Sequence, residues 1–353
     1  MRPLALNLLT LSATLVVLGV LTLPAMGVID SEPRGAHRAA YRAPSAERLV
    51  GVTVDPWHLD EWSRAVGAQP ALLAKFEAFA RRRPLGPYLE EAERRGVRGL
   101  VISWEPWAPV PAARGRTAQF RPQRGYRNVD IARGRQDAYI KRFARAIARF
   151  DGVVYLRYAH EMNGIWYPWT HDSRGYRQAW GHVVRLVRRS GADNARFVWS
   201  TNPNLYQSPR NWERRMRRFW PGARWVDYLG STTIDFGGRK DYPVARFEPR
   251  LRALHALFGK PVMITEANTD YAGRVPWLRD FRRLLTRAPW IRAVVWSQLP
   301  SRGRAQMPDA GNLDWDVQHD PPAAAVLHQI IRDGAGRHDA ARPPPRGHPG
   351  GAR

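Results

Sequence analysis

Val153-Val154-Tyr155-Leu156-Arg157-Tyr158, running on into Ala159-His160-Glu161-Met162-Asn163-Gly164, holds the pattern on which the fold turns. A short run of β-branched, aromatic and aliphatic residues closes on a polar cluster. A helical pattern comes next, with Tyr176, Trp180, Val183, Val184 and Val187 on one face. The same unit recurs on both sides. Apolar runs stand at 49–54, 99–103, 196–200, 226–232, 261–265 and 291–297, and a weaker one at 71–76. Between them, Ile140, Phe143, Ala144 and Ile147 share a helical face. So do Leu251, Leu254 and Phe258, and Leu278, Phe281 and Leu285 after Pro276. Gly96, Gly191 and Gly259 fall where helices should stop.

Strands that are apolar without alternation, separated by helices, are buried on both faces in a parallel sheet. Seven clear runs and one weak one predict eight βα units. The 49–331 span is close to the ~250 residues typical of a barrel. The expected fold is α/β, a (β/α)8 TIM barrel forming a single catalytic domain at 48–332. An open doubly wound sheet is the alternative, but it usually carries a glycine-rich phosphate turn after its first strand. Here that strand ends in Val54-Asp55-Pro56-Trp57.

Outside this span the composition changes. Arg2 precedes an apolar run from Leu4 to about Ile29, long enough to span a hydrocarbon layer of ~30 Å. Residues 1–29 are expected to be a signal peptide or an N-terminal membrane anchor, and either places the rest of the chain outside the cytoplasm. Residues 30–47, rich in Arg, Ala, Ser and Pro, read as a linker. Residues 333–353, with Pro343-Pro344-Pro345 and Gly350-Gly351, read as a disordered tail.

The formal net charge is +25 and Cys is absent, so disulfides and thiolate metal sites are excluded. The positive excess is nearly all Arg, since Lys occurs only at Lys75, Lys141, Lys240 and Lys260. That Arg is spread along the chain rather than interleaved with aromatics in one basic motif. Solvated faces are therefore expected, and no nucleic-acid partner.

In such a barrel, chemistry sits at the C-terminal ends of the strands. The residues there are Asp55, Trp57 and His58; Trp104, Glu105 and Trp107; His160, Glu161, Asn163 and Trp166; Asn202 and Asn204; Asp235; Glu266 and Asn268; Trp296 and Gln298. Carboxylates, amides and indoles suit a neutral polyol: indoles pack on ring C–H faces, and amides and acids bind hydroxyls. Glu161 and Glu266 end runs about three βα units apart, which predicts strands four and seven. Two facing carboxyls are what glycoside hydrolysis requires. A zinc-protease reading of His160-Glu161 needs a second His at 164, where Gly164 stands. No metal and no cofactor are expected.

The stretch from Leu156 to Trp169, with His160-Glu161-Met162-Asn163-Gly164 at its centre, closely resembles the strand-four signature of glycoside hydrolase family 26. Ser103-Trp104-Glu105-Pro106-Trp107, Phe197-Val198-Trp199-Ser200 and Ile264-Thr265-Glu266 are similar to that family too. The family holds β-mannanases and related β-glucan- and β-xylan-cleaving enzymes. The resemblance implies a retaining endo-β-glycanase, β-mannanase-like, with Glu161 as acid/base and Glu266 as nucleophile. It implies that Arg157 holds nearby carboxylates, and that His160, Asn163, Trp166, Trp296, Trp104, Glu105 and Asn202 contact substrate. A packing or ion-pairing role is the alternative for Arg157 and for each His and Trp. On strand six the family often has a Tyr bonded to the nucleophile, whereas Gly230-Ser231-Thr232-Thr233-Ile234-Asp235-Phe236 offers none.

The expected partner is a polysaccharide, with membrane anchoring through residues 1–29 left open, and the expected state is a monomer. Two alternatives stay open: a weakly active or non-catalytic carbohydrate-binding barrel, and a hydrolase trimming exopolysaccharide at the cell surface. The Arg-rich tract at 109–128, with Arg116, Arg121 and Arg124, would suit an acidic glycan if it covers the cleft.

Overall fold

Eight parallel strands close on themselves in chain order: β1 (Leu49–Val52), β2 (Leu72–Ala78), β3 (Gly99–Glu105), β4 (Val153–Tyr158), β5 (Ala195–Thr201), β6 (Tyr228–Ile234), β7 (Val262–Asn268) and β8 (Ile291–Trp296). Around them run α1 (Leu59–Val66), α2 (Gly86–Arg94), α3 (Asn128–Ala132), α4 (Asp137–Ile147), α5 (Ser173–Arg189), α6 (Pro209–Phe219), α7 (Val244–Phe258), α8 (Arg274–Arg287) and α9 (Pro321–Ala335). The computed structural model describes residues 47–109, 121–235, 243–269, 273–298 and 315–335. The expected signal or anchor, nearly all of the linker, Arg116 and residues 336–353 lie outside the described residues. No helix among the described residues is long and apolar enough to cross a membrane.

The chain is a (β/α)8 barrel. The run expected only weakly at 71–76 is a full strand, β2, buried along most of its length. Its signal is faint because Lys75 and Glu77 interrupt the apolar run. They point to the helix side, where they pair with each other at 3.1 Å and Lys75 Nζ lies 4.4 Å from the Tyr88 ring centre. Residues 333–335, expected in the tail, instead complete α9, where Gly334 accepts a hydrogen bond from the Arg48 amide at 2.9 Å.

Strand alternation sorts side chains into two compartments. Outward residues such as Leu100, Ile102, Leu156, Phe197, Leu229 and Ile264 join the helices in one apolar layer. Inward residues fill the barrel: Leu49, Leu72, Val101, Val153, Tyr155, Val198, Met263, Ala293 and Val295 make its apolar floor. One tier higher the inward positions turn polar, with Ser103, Arg157, Ser200, Thr232 and Thr265, all buried. Polar groups so deep are stable only if bonded, and they bond to one another beneath the candidate site.

Helix ends follow local chemistry. Asp172 caps α5 by accepting from the Gly175 amide at 2.9 Å, and Ser208 caps α6 ahead of Pro209. Gly259 ends α7 with φ 65°, a left-handed conformation that a side chain would resist.

Candidate active site

β4 runs inward-outward through Val153–Tyr158, which puts Arg157 into the barrel. Just beyond it the backbone leaves the strand through two left-handed residues, Ala159 (φ 43°) and Glu161 (φ 51°). Non-glycine residues hold such angles only when surroundings impose them. Here the Glu161 amide donates to the Ser200 carbonyl at 2.8 Å, and the Glu161 carbonyl accepts from the Gly164 amide at 2.8 Å. The Glu161 side chain is thereby fixed over the barrel mouth.

Three donors converge on its carboxylate. Thr232 Oγ1 donates to Oε1 at 2.5 Å, Asn202 Nδ2 to Oε1 at 3.1 Å, and Trp166 Nε1 to Oε2 at 2.8 Å. Asn202 is itself held by Asn163: the Asn163 side-chain nitrogen donates to the Asn202 carbonyl at 2.7 Å, and the Asn202 backbone amide donates back to Asn163 Oδ1 at 2.8 Å.

Glu266 stands on β7, where the pairing with β6 and β8 shifts register around Thr265. The irregularity lets two consecutive side chains face inward. Thr265 Oγ1 lies 3.1 Å from Ser200 Oγ, and Glu266 Oε1 accepts from Arg157 Nη1 at 2.6 Å. Arg157 is fully buried and uses every edge of its fork, donating to Ser200 Oγ at 2.8 Å, Ser103 Oγ at 3.1 Å and Thr232 Oγ1 at 3.2 Å. A planar guanidinium suits this, whereas an ammonium would not. Burial raises the Glu266 carboxyl above its ordinary value; the Arg157 guanidinium opposes that, and the charge of Glu161 adds to it.

Among the described residues, further titratable groups lie beside the pair. Glu105, at the end of β3, is buried, and desolvation pushes its carboxyl up to about 7 despite the Trp107 indole donating to it at 3.2 Å. The His160 imidazole is buried too. Desolvation first, and then the Arg157 charge, hold it well below its ordinary value, hence neutral. Its Nε2 lies 2.9 Å from the Tyr167 hydroxyl, and its backbone carbonyl accepts from Trp169 Nε1 at 2.8 Å. Tyr167 stacks on Trp169 with ring centres 4.4 Å apart and feels the charges of Glu105, Glu161 and Glu266.

The structure thus brings Arg157, His160, Glu161, Asn163, Trp166, Asn202, Glu105 and Glu266 to one end of the barrel. It removes Trp104 and Trp296 from it. Trp104 follows inward Ser103 and so points outward. It stacks on Phe143 of α4 at 4.5 Å and donates to the Tyr139 hydroxyl at 3.0 Å. Trp296 aligns with outward Val52 and Ala267 and lies edge-on to Trp277 of α8 at 6.5 Å. Both indoles belong to the helix-facing layer, because a strand turns each successive side chain to the opposite face.

Sequence reading passes over Ser103, Ser200, Thr232, Thr265 and Tyr167. Alternation carried back from Glu105 and Asn202 reaches Ser103 and Ser200, whereas the register shift on β7 hides Thr265 beside Glu266. At the rim, Trp57, Ile165 and Tyr206 are the large apolar residues left exposed among the described residues.

Residues 132–294 match the family profile described as glycosyl hydrolase family 26. Endoglucanase H of Acetivibrio thermocellus is 27% identical over 265 residues, covering 70% of this chain and 26% of that protein. A β-1,3-xylanase of a Vibrio species is 33% identical over 190 residues, 53% of this chain and 38% of that one. The chain therefore spans well under half the length of these relatives. Among solved structures, a family 26 β-mannanase from Bacteroides ovatus superposes with TM-score 0.57 at 15% identity, over 82% of this chain and 90% of that one. A modular endo-β-1,4-mannanase from Cellulomonas fimi does so with TM-score 0.55 at 17% identity, over 85% and 76%. At such identity these two speak for the fold.

Proposed function

The chain belongs to glycoside hydrolase family 26, and we propose that its barrel is a retaining endo-β-glycanase that cleaves a neutral β-linked polysaccharide by double displacement. The observation that carries this reading is the single hydrogen-bonded unit joining Glu161 to Glu266 through Thr232 and Arg157. The guanidinium 2.6 Å from Glu266 opposes the effect of burial on that carboxyl, and the double displacement gives Glu161 the part of proton carrier. In the first step, Glu266 attacks the anomeric carbon while Glu161 gives its proton to the departing glycosidic oxygen. In the second, Glu161 takes a proton from water, the water oxygen bonds to the anomeric carbon, and the ester to Glu266 breaks. Asn202 and Trp166 aim the Glu161 carboxyl through both steps, and no cofactor is required.

Substrate contact falls to Glu105, His160, Asn163, Trp166 and Asn202 around the pair, with Trp57 and Tyr206 as exposed ring platforms at the rim. Three carboxyl groups in one cleft disfavour an anionic sugar beside them. β-Mannan is the family default, while the relatives' names add β-glucan and β-1,3-xylan to the panel. The apolar run at 4–29 supports action outside the cytoplasm, by secretion or from an anchor, and the barrel is proposed to work as a monomer.

Reducing-end release from glucomannan, galactomannan, mixed-linkage β-glucan, β-1,3-xylan and an acidic exopolysaccharide tests the reading. Turnover of a neutral glycan is expected, lost by at least about a thousandfold in both Glu161→Gln and Glu266→Gln, with the first-formed product retaining its β anomer by NMR. Binding without turnover in the unaltered protein would favour a carbohydrate-binding barrel, and turnover surviving both substitutions would discard the assigned pair.

A further inference from the structure

Beside the nucleophile on β6 the register places Thr232, paired with Glu266 across the sheet. Thr232 is buried. Its hydroxyl has one proton and accepts from Arg157 Nη2 at 3.2 Å. With that side occupied by a donor, the proton can point only at an acceptor. It points at Glu161 Oε1, 2.5 Å away. The Glu266 carboxylate, its register neighbour, is held by Nη1 of the same guanidinium and so stands beside this hydroxyl. One proton therefore faces two carboxylates that the double displacement charges in turn.

We propose that Thr232 is a positioning residue whose hydroxyl hydrogen bond alternates between the two carboxylates, going to whichever carries the charge. This rests on Glu161 and Glu266 being the reacting pair. The ligand-free arrangement, with the hydroxyl on Glu161 Oε1, is the one that serves an ionised Glu161; when Glu266 is anionic and Glu161 protonated, before attack, the hydroxyl is best spent on Glu266. Once Glu266 is esterified its oxygens are poor acceptors, Glu161 is the carboxylate, and the hydroxyl turns to it. A charge-assisted bond is about twice as strong as a neutral one, so the rotor follows the charge. The Arg157 fork, fixed by Ser103 and Ser200, anchors the hydroxyl oxygen while its proton swings. A short side chain beside the nucleophile thereby serves both half-reactions.

The test uses Thr232→Val, which keeps the shape and removes the hydroxyl, and Thr232→Ser, which restores it. On the glycan that the unaltered protein cleaves, Thr232→Val is expected to lower kcat about ten- to a hundredfold with KM changed less than about threefold. The same loss is expected on an activated aryl glycoside, whose second step limits turnover. Thr232→Ser should return kcat to within about threefold. Unchanged kcat in Thr232→Val, a loss confined to KM, or no recovery in Thr232→Ser would overturn the proposal. A measurement without turnover separates this from failure of the glycanase reading: the 13C resonances of the Glu161 and Glu266 carboxyls in ligand-free protein. The resonance of whichever carboxyl is ionised should move in Thr232→Val and return in Thr232→Ser; if neither moves, Thr232 bonds neither carboxylate and the proposal falls whatever the substrate.

Discussion

Among the described residues, Glu105 is a carboxyl near the pair that the proposed double displacement leaves unused, and its environment makes it titrate where few carboxyls do. Desolvation lifts it from 4.5 to about 7. A carboxyl whose folded pKa exceeds its unfolded one favours the fold fully below the unfolded value, and that contribution is lost as pH rises through the folded value. The window here runs from about 4.5 to about 7. Glu105→Gln removes the loss, so the variant should gain stability over the parent above about pH 7, on the order of 3 kcal/mol at most, and match it near pH 4.5. Urea unfolding at both pH values measures this, and an equal difference at both would place the Glu105 carboxyl in water. His160-Glu161 and Glu266 are legible in the sequence because each ends an apolar run with its chemistry attached. The cradle of Arg157 is not. Its hydroxyls come from Ser103, Ser200 and Thr232 on three different strands, and a serine or threonine inside an apolar run reads as a weak strand residue until the register aligns it.

Elements decide which way an indole points. The runs at 99–103, 153–158 and 261–265 are readable as strands, yet the residues that end them cannot all face the cleft. Period two forbids it: Ser103 and Glu105 face in, so Trp104 faces α4. Trp104→Ala should destabilise the barrel by about 3–5 kcal/mol, from lost packing and an unpaired Tyr139 hydroxyl, while KM for a soluble oligosaccharide stays within about twofold. Thermal or urea unfolding together with initial rates below the transition distinguishes the outcomes, and a several-fold rise in KM at unchanged stability would return the indole to the cleft. On β7 the alternation itself breaks, so that Thr265 and Glu266 both face inward. No sequence periodicity announces such a shift, since it depends on how β6 and β8 pair with it. In β2 the obstacle is the reverse: charge within a run hides a strand without abolishing it, because Lys75 and Glu77 neutralise each other on the helix side.

At the scale of the molecule, charge and site have opposite signs. The chain carries a formal +25, mostly on Arg, while among the described residues the cleft gathers Glu105, Glu161 and Glu266 around the buried Arg157. Many of the positive side chains are half neutralised locally, as where Arg282 meets Asp333 at 2.6 Å or Arg127 meets Asp130 at 2.8 Å. Such exposed pairs contribute little to stability, and the uncompensated remainder sets a long-range positive field. That field acts over a Debye length of about 10 Å at 0.1 M salt and about 3 Å at 1 M. Retention on an anionic matrix should therefore fall steeply as salt rises from about 0.02 to about 0.5 M. Cleavage of a neutral glycan should behave differently, because its substrate has no charge to steer and the Arg157–Glu266 contact is buried from screening. Over the same range kcat/KM on a soluble neutral β-glycan should change less than about twofold. Initial rates and column retention, measured side by side on the full chain, decide the matter. If the two fall together, the arginine field is recruiting substrate, and the glycan it serves is acidic.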